Sequence, residues 1–206
     1  MLNKYYRAVI KAEPLEDSRK VVYEREYENH RNNMIMASPY IRALEDCIGH
    51  DGEKVEQRCL VLEWMDTDLW KARMNSRSHD PQLQKNVARS VLEALAVFAD
   101  IQGTHTDINP NNVLISGIEN SNPIVKVGDL DNLCGEGIDW VRLQGLAIRA
   151  PEVWRGLGVW PASDVWSLGV TVYLILKASR YLPITDGFRW RIGLPKNLYL
   201  VRRTKF

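Results

Sequence analysis

The amino-acid sequence predicts an α+β protein of two lobes, the first a short antiparallel sheet plus one helix and the second mainly α-helical. Three observations predict it. Short apolar strands bracket one long helical stretch in the first part of the chain; a polar run of mixed charge, Asp66 to Asp80, interrupts the pattern; and an amphipathic stretch from Leu83 to Ile101 opens a longer region that holds a second helix. With 206 residues, 45% hydrophobic and 26% charged, the composition suits one large domain or two small lobes. The boundary divides the chain into residues 1–65 and 66–206.

Taken in order, Ala8 to Lys11 reads as a strand and Val21 to Met36 as a helix, long enough and free of Gly and Pro. Cys59 to Met65 reads as a second strand. In Leu83 to Ile101, Val87, Val91, Leu92, Leu95 and Phe98 recur at helical spacing as one buried stripe, and Gly103 stands where a glycine ends a helix. Val113 to Ile115 and Ile124 to Val127 flank the turn-rich Ser116 to Pro123, a hairpin pattern. Asp129 to Arg149 is irregular, and Ser163 to Lys177 reads as a buried helix with Ser163 as N-cap.

Twenty-seven basic and 26 acidic side chains leave a net charge of +1, so no global field points to nucleic acid or to an anionic membrane surface. Cys47, Cys59 and Cys134 are odd in number and widely spaced, with no Cys-x-x-Cys pair. That argues against a zinc or redox motif and fits a reducing, intracellular compartment, cytoplasmic or nuclear. The first residues lack the apolar stretch of a secretory signal, and the longest apolar region, Val165 to Leu176, is too short to span a bilayer.

Between His105 and Glu152 three strings stand in fixed order: His-Thr-Asp-Ile-Asn-Pro-Asn-Asn-Val-Leu from His105, Val-Gly-Asp-Leu-Asp-Asn from Val127, and Arg-Ala-Pro-Glu from Arg149. Asp, Asn, Pro and Gly are ordinary turn residues, but here order, internal spacing and flanking apolar runs coincide. Together the strings resemble the catalytic centre of the protein kinases. The resemblance implies a protein kinase-like bilobal fold, with ATP and Mg2+ as cofactors and transfer of the γ-phosphate to a protein hydroxyl. In that family Asp107 corresponds to the base that accepts the substrate proton, and Asn112 and Asp129 to the oxygen ligands of magnesium.

The other site residues follow from the same resemblance. Ala8-Val9-Ile10-Lys11 is similar to the strand whose lysine pairs with nucleotide phosphates. That lysine should be held by a glutamate of the next helix. Glu24, Glu26 and Glu28 all offer themselves, and Glu28 is best placed relative to Ser38-Pro39. Leu60 to Met65 resembles the strand leading into the hinge that holds adenine, with Leu62 as gatekeeper, the Glu63 carbonyl and Met65 amide as contacts, and Leu114 in the nucleotide-binding set. Glu152 and Asp164 match the family scaffold, the Asp as the residue that hydrogen-bonds the catalytic-loop backbone.

Within the superfamily, His105-Thr106-Asp107, Asp129-Leu130-Asp131-Asn132 and Arg149-Ala150-Pro151-Glu152-Val153 are most similar to the SR-protein kinases and their fungal relatives, which implies an Arg/Ser-rich protein substrate; Trp140 to Glu152 fits their short activation segment. The chain also departs from the pattern. Asn109 stands where Ser/Thr kinases place a lysine near the transferred phosphate, Gly145 where they place a threonine, and Asp131 replaces a glycine. Ten residues precede Lys11 without a Gly-x-Gly-x-x-Gly, and about forty follow Asp164, so both lobes read as incomplete, with Arg180, Arg189 or Arg191 as stand-in partners for Glu152. No Ser, Thr or Tyr occurs from Asp129 to Glu152, so phosphorylation there is not expected to switch activity. The departures keep open a pseudokinase that binds a regulated protein partner, and an incomplete gene-model fragment.

Overall fold

Short, largely apolar runs form three strands, β1 (Ala8–Ala12), β2 (Leu44–Ile48) and β3 (Cys59–Glu63), and they pair antiparallel with β3 between the other two. The computed structural model that shows this describes residues 7–50, 52, 55–139, 143–181 and 199–200, with side chains through residue 175. One face of the sheet buries Val9, Leu60 and Leu62 against Tyr23 and Tyr27 of helix α1 (Asp17–His30). The helix expected over Val21 to Met36 is in fact two, because Asn32 takes an extended conformation and its side chain accepts the Met34 N–H at 2.9 Å, starting α2 (Asn33–Ala37) afresh.

The region after β3 is α+β, with helices dominating. A short strand β4 (Thr67–Asp68) leads into α3 (Leu69–Ala72), and the Asp80 side chain caps the N-terminus of α4 (Pro81–Asp100) with Pro81 in its first turn. Val87, Val91, Leu95 and Phe98 of α4 are buried as expected, whereas Leu92, one residue round from the stripe, is 45% exposed. The chain leaves α4 through Gln102, which adopts φ +54, and Gly103 opens β5 (Gly103–Thr104) instead of ending the helix. Gly103 is needed for closeness, since a Cβ there would meet the Phe98 carbonyl oxygen and a Leu133 methyl at 3.3 Å.

The expected hairpin forms from β6 (Val113–Ser116) and β7 (Ile124–Val127), with Val113 opposite Val127, and β4 adds to its edge. The segment before β2 ties the two sheets together: Val127 N–H donates to Tyr40 O and Arg42 N–H to Val127 O, both at 2.8 Å. Beyond, β8 (Cys134–Gly135) pairs with β5, and α5 (Pro151–Trp154) precedes the long α6 (Pro161–Tyr181). Helix α6 starts at Pro161, so Ser163 is not its N-cap; its hydroxyl instead accepts the Trp160 N–H at 3.2 Å. A last strand, β9 (Tyr199–Leu200), pairs with β1. Trp140, Arg189 and Arg191 lie outside the described residues, as does the Arg180 side chain. No helix among the described residues is long and apolar enough to cross a membrane.

Candidate active site

The loop between β5 and β6 carries Asp107, Asn109 and Asn112, and α6 fixes its shape. Asp164, 1% exposed in the first turns of α6, accepts the backbone N–H groups of His105 at 2.6 Å and Thr106 at 2.9 Å, one on each carboxylate oxygen. Thr106 is thereby held at φ +64, a conformation a β-branched residue rarely adopts, and its hydroxyl donates to Asn132 O at 3.0 Å. Burial pushes the Asp164 carboxyl up to about 7 against the two N–H donors. His105 is fully buried, and burial lowers its imidazole to about 4. Its Nδ1 accepts the Asp107 N–H at 3.3 Å, so the proton sits on Nε2, which donates to Gly128 O at 3.1 Å.

Asp107 and Asn112 meet. Asn112 Nδ2 donates to Asp107 Oδ2 at 2.8 Å and to Asp107 O at 2.9 Å, leaving its Oδ1 as the end of the amide open to a cation. Burial pushes the Asp107 carboxyl up to about 6, opposed by the amide donors and reinforced by the charges of Asp129 and Asp131. Asn109 turns inward on the loop, accepting the Asn111 N–H at 2.9 Å and donating to Asp107 O at 3.2 Å. The hairpin brings Asp129 alongside, because Gly128 N–H donates to Asn112 O at 2.9 Å. Asp129 itself has φ +66, which Asp tolerates better than most residues.

Lys11 closes the cleft from β1. Its Nζ lies 3.0 Å from Asp129 Oδ1 and 3.6 Å from Asp131 Oδ2, and it bonds Glu26 Oε2. The glutamate is therefore Glu26 and not Glu28: Glu28 sits two residues on, about 200° round the helix, where its side chain is 61% exposed and 4.0 Å from Arg31. Burial alone would lower the Lys11 ammonium, but the three carboxylates overcome it and hold the pKa above the ordinary lysine range. Glu26 is displaced upward by burial, opposed by Lys11. Single oxygens of Glu26, Asp129 and Asp131 lie within 4.8 Å of one another, an oxygen-rich set of the kind a hard cation prefers, and Asp131 adds a carboxylate where the sequence departs from glycine.

Beside this cluster, Leu62, Leu114 and Val9 line a space of about 40 Å³ together with Lys11, Asn112 and Arg42. Leu114 packs so close to Gly128 that a Cβ there would lie 2.8 Å from its methyl. Met65 is buried, and its sulfur receives the Ser116 hydroxyl at 3.7 Å. The Glu63 carboxylate pairs with Lys126 at 2.8 Å, and its carbonyl accepts Arg42 Nε–H at 2.7 Å.

Several contributors escape a reading of the sequence. Asn29 of α1 donates to the carbonyls of Leu130 at 2.8 Å and Leu133 at 3.1 Å, coupling that helix to the residues after Asp129. Gln144, at φ +64, spends its amide on Ser163 O, Ser167 Oγ and the Ala150 N–H, and so shapes the approach to α5. Glu152 takes its hydrogen bond from Ser163 at 2.5 Å, with no arginine among its described partners. Apart from Glu152, which belongs to the Arg-Ala-Pro-Glu string, these side chains are spaced far apart in sequence, with no motif to announce them.

A family model described as "Protein kinase domain" matches residues 6–189. The dual specificity protein kinase YAK1 of Saccharomyces cerevisiae is 27% identical over 117 residues, 55% of this chain. From Schizosaccharomyces pombe, the serine/threonine-protein kinase ppk15 is 32% identical over 114 residues, 54% of this chain, and the DYRK-family kinase pom1 is 33% identical over 89 residues, 43% of this chain. The matched segments cover 14%, 21% and 8% of those three proteins respectively.

Proposed function

Because this chain belongs to the protein kinase domain family, we propose that it transfers the γ-phosphate of ATP to a protein Ser or Thr hydroxyl, with residues 1–65 and 66–206 as the two lobes of one catalytic unit. The observation that carries this reading is the convergence of Asp107, Asn112, Asp129 and Lys11, four side chains from three separate segments, on one cleft. Asp107 orients the substrate hydroxyl and takes its proton. Lys11, held charged by Glu26, meets the nucleotide phosphates. Asn112 and Asp129 would hold Mg2+, which when bound would neutralise phosphate charge. Leu62, Met65, Leu114 and the Glu63 carbonyl form the base side.

For the acceptor we infer an Arg/Ser-rich protein segment from the strings shared with SR-protein kinases, in an intracellular setting without direct contact to nucleic acid. The relatives described above point instead to YAK1- and DYRK-type kinases, one of them of dual specificity. A panel of Arg/Ser-rich, Pro-directed and Tyr-containing peptides with radiolabelled ATP separates these. A second reading, a partner-binding member without turnover, is favoured by Asn109, whose amide is engaged in its own loop and brings no cation to Asp107. The first experiment is a thermal shift with Mg·ATP on wild type, Lys11→Ala and Asp129→Ala. Stabilisation that both variants lose supports the nucleotide site; phosphate transfer that Asp107→Ala abolishes supports the kinase, and nucleotide binding without transfer to any peptide leaves the second reading.

A further inference from the structure

We propose that the pocket between the first turns of α4 and the turn of the β6–β7 hairpin docks an acidic peptide segment, with Lys85 and Arg89 reading carboxylates at alternate positions of an extended chain. The pocket has a volume of about 410 Å³. Three cations line it, Arg77, Lys85 and Arg89, and no Asp or Glu does. In a chain whose charges cancel to +1, that is a local excess of one sign.

The walls are held in place. The Arg77 guanidinium donates to Glu119 O at 3.0 Å and Asn120 O at 2.7 Å, and Asn86 Nδ2 donates to Pro123 O at 2.8 Å, so the hairpin turn is tied across the pocket at two points. The nearby acids are engaged. Asp80 accepts the Gln82 N–H at 2.9 Å and pairs with Arg77 at 3.1 Å, while the Glu119 carboxylate accepts from Asn75 at 2.8 Å. What stays open is mainly donor capacity. Among the described residues, Lys85 has no hydrogen-bond or ion-pair partner, Arg89 meets only Glu93, at 3.8 Å, and the side chains of Ser121 and Asn122 are uncommitted.

The spacing selects the occupant. Lys85 and Arg89 stand one turn apart on α4, with about 6 Å between their Cβ atoms, so their charges run along the wall instead of converging on a point. A lone phosphate is best held by donors that converge. A single-stranded nucleic acid needs an aromatic on which to stack its bases, and no aromatic side chain lines the pocket. Alternate residues of an extended peptide project to one side about 7 Å apart, so carboxylates at two such positions meet the two cations in turn. The pocket lies at the turn end of the hairpin, whose other end leads to Asn112 and Asp129, so a docked segment leaves the cleft open.

The test is fluorescence anisotropy of the full chain, without nucleotide, with a labelled peptide carrying Glu at every second position and with its Gln counterpart. The proteins compared are wild type, Lys85→Glu/Arg89→Glu, and Arg19→Glu/Lys20→Glu, which makes the same charge change on α1. Wild type is expected to bind the Glu peptide and not the Gln peptide, more weakly as salt rises. The α4 variant is expected to weaken that binding at least about tenfold, and the α1 variant to change it little. Lys85→Gln/Arg89→Gln, which only removes charge, is expected to fall between wild type and the reversal. No binding, equal binding of the Gln peptide, binding that survives the α4 reversal, or an equal loss in the α1 variant would overturn the site. Displacement of the peptide by inorganic phosphate at equal concentration, or tighter binding of an oligouridine, would overturn the assignment of its occupant.

Discussion

The loop that carries Asp107 and the cleft wall that carries Lys11 both bury charge, but they hold it in different ways. In the loop, carboxylates and imidazole are satisfied by neutral groups: Asp164 by two backbone N–H donors, Asp107 by the Asn112 amide, His105 by the Gly128 carbonyl and the Asp107 N–H. Across the cleft, charges satisfy one another: Lys11 with Glu26, Asp129 and Asp131, and Glu63 with Lys126. The first arrangement is organised whatever occupies the cleft. On the proposed nucleotide reading the second would have to be shared with a polyphosphate, because the ligand's oxygens would compete with three carboxylates for one ammonium. On that same reading the loop side would be preorganised for chemistry, while the Lys11 side would trade protein contacts for ligand contacts.

The largest expected effect tests the loop. Asp107→Ala should lower phosphate transfer by about 10²- to 10⁴-fold, the range for losing a general base, with Mg·ATP affinity nearly unchanged. A steady-state assay that finds full activity in this variant removes Asp107 as the base.

The next tests the opposite wall. Lys11→Ala leaves Glu26, 1% exposed, without its cation, and stripping one partner from a buried pair costs about 3 kcal/mol or more. Asp129 and Asp131 also lose their shared ammonium. Glu26→Gln in the Lys11→Ala background should restore most of the urea midpoint, since a neutral amide no longer has to be buried charged. Equal midpoints for the single and double variants would show that the carboxylates had not depended on Lys11.

These two regions also differ in how much of them could be read from the chain. Asp107 and Asn112 fall within the eight consecutive positions from His105, and Asp129 follows in a second short string, so all three could be picked out from local order before any geometry was known. The α+β architecture was legible for the same reason, as strands and helices are local patterns. Glu26 was not, because the buried face of α1 is Tyr23, Glu26, Tyr27 and His30, a stripe with too little apolar contrast to fix the phase of the helix. Arg42 and Glu63 meet across 21 positions, and Ser163 reaches Glu152 across 11, contacts that no spacing rule encodes. Leu92 was misplaced by one step of helical rotation, an error that counting apolar residues invites.

A smaller effect, opposite in sign, comes from Asp107 as a folding group. Its carboxyl titrates near 6 in the folded protein against 3.8 for the free side chain. Below about pH 4 it is neutral in both states. Between about 4 and 6 the folded protein keeps a proton that the unfolded chain gives up, so stability falls as pH rises through that window, and above about 6 the whole penalty is present. Asp107→Asn keeps an oxygen for the Asn112 amide and removes the charge. It should therefore raise the Tm at pH 7, by at most about 3 kcal/mol of stability, and leave it nearly unchanged at pH 4. A gain of equal size at both values would mean that packing, not charge, accounts for it.

The smallest effect separates two adjacent residues at the end of α4. A glycine is expected where a helix reverses into the left-handed region, yet here the positive φ falls on Gln102 and the glycine follows it. Gln102 is exposed and its carbonyl accepts the Glu136 N–H at 3.1 Å, a bond that does not depend on its side chain. Gln102→Gly should thus stabilise by up to about 1 kcal/mol, the left-handed penalty removed less the added freedom of the unfolded chain. Gly103→Ala should do the reverse, because the new methyl meets the Phe98 carbonyl and Leu133 at 3.3 Å in a buried strand. Chemical denaturation of both variants decides the matter: if Gly103→Ala were the tolerated change and Gln102→Gly the costly one, the reversal would sit one residue later, and the strand that positions His105 would be misregistered with it.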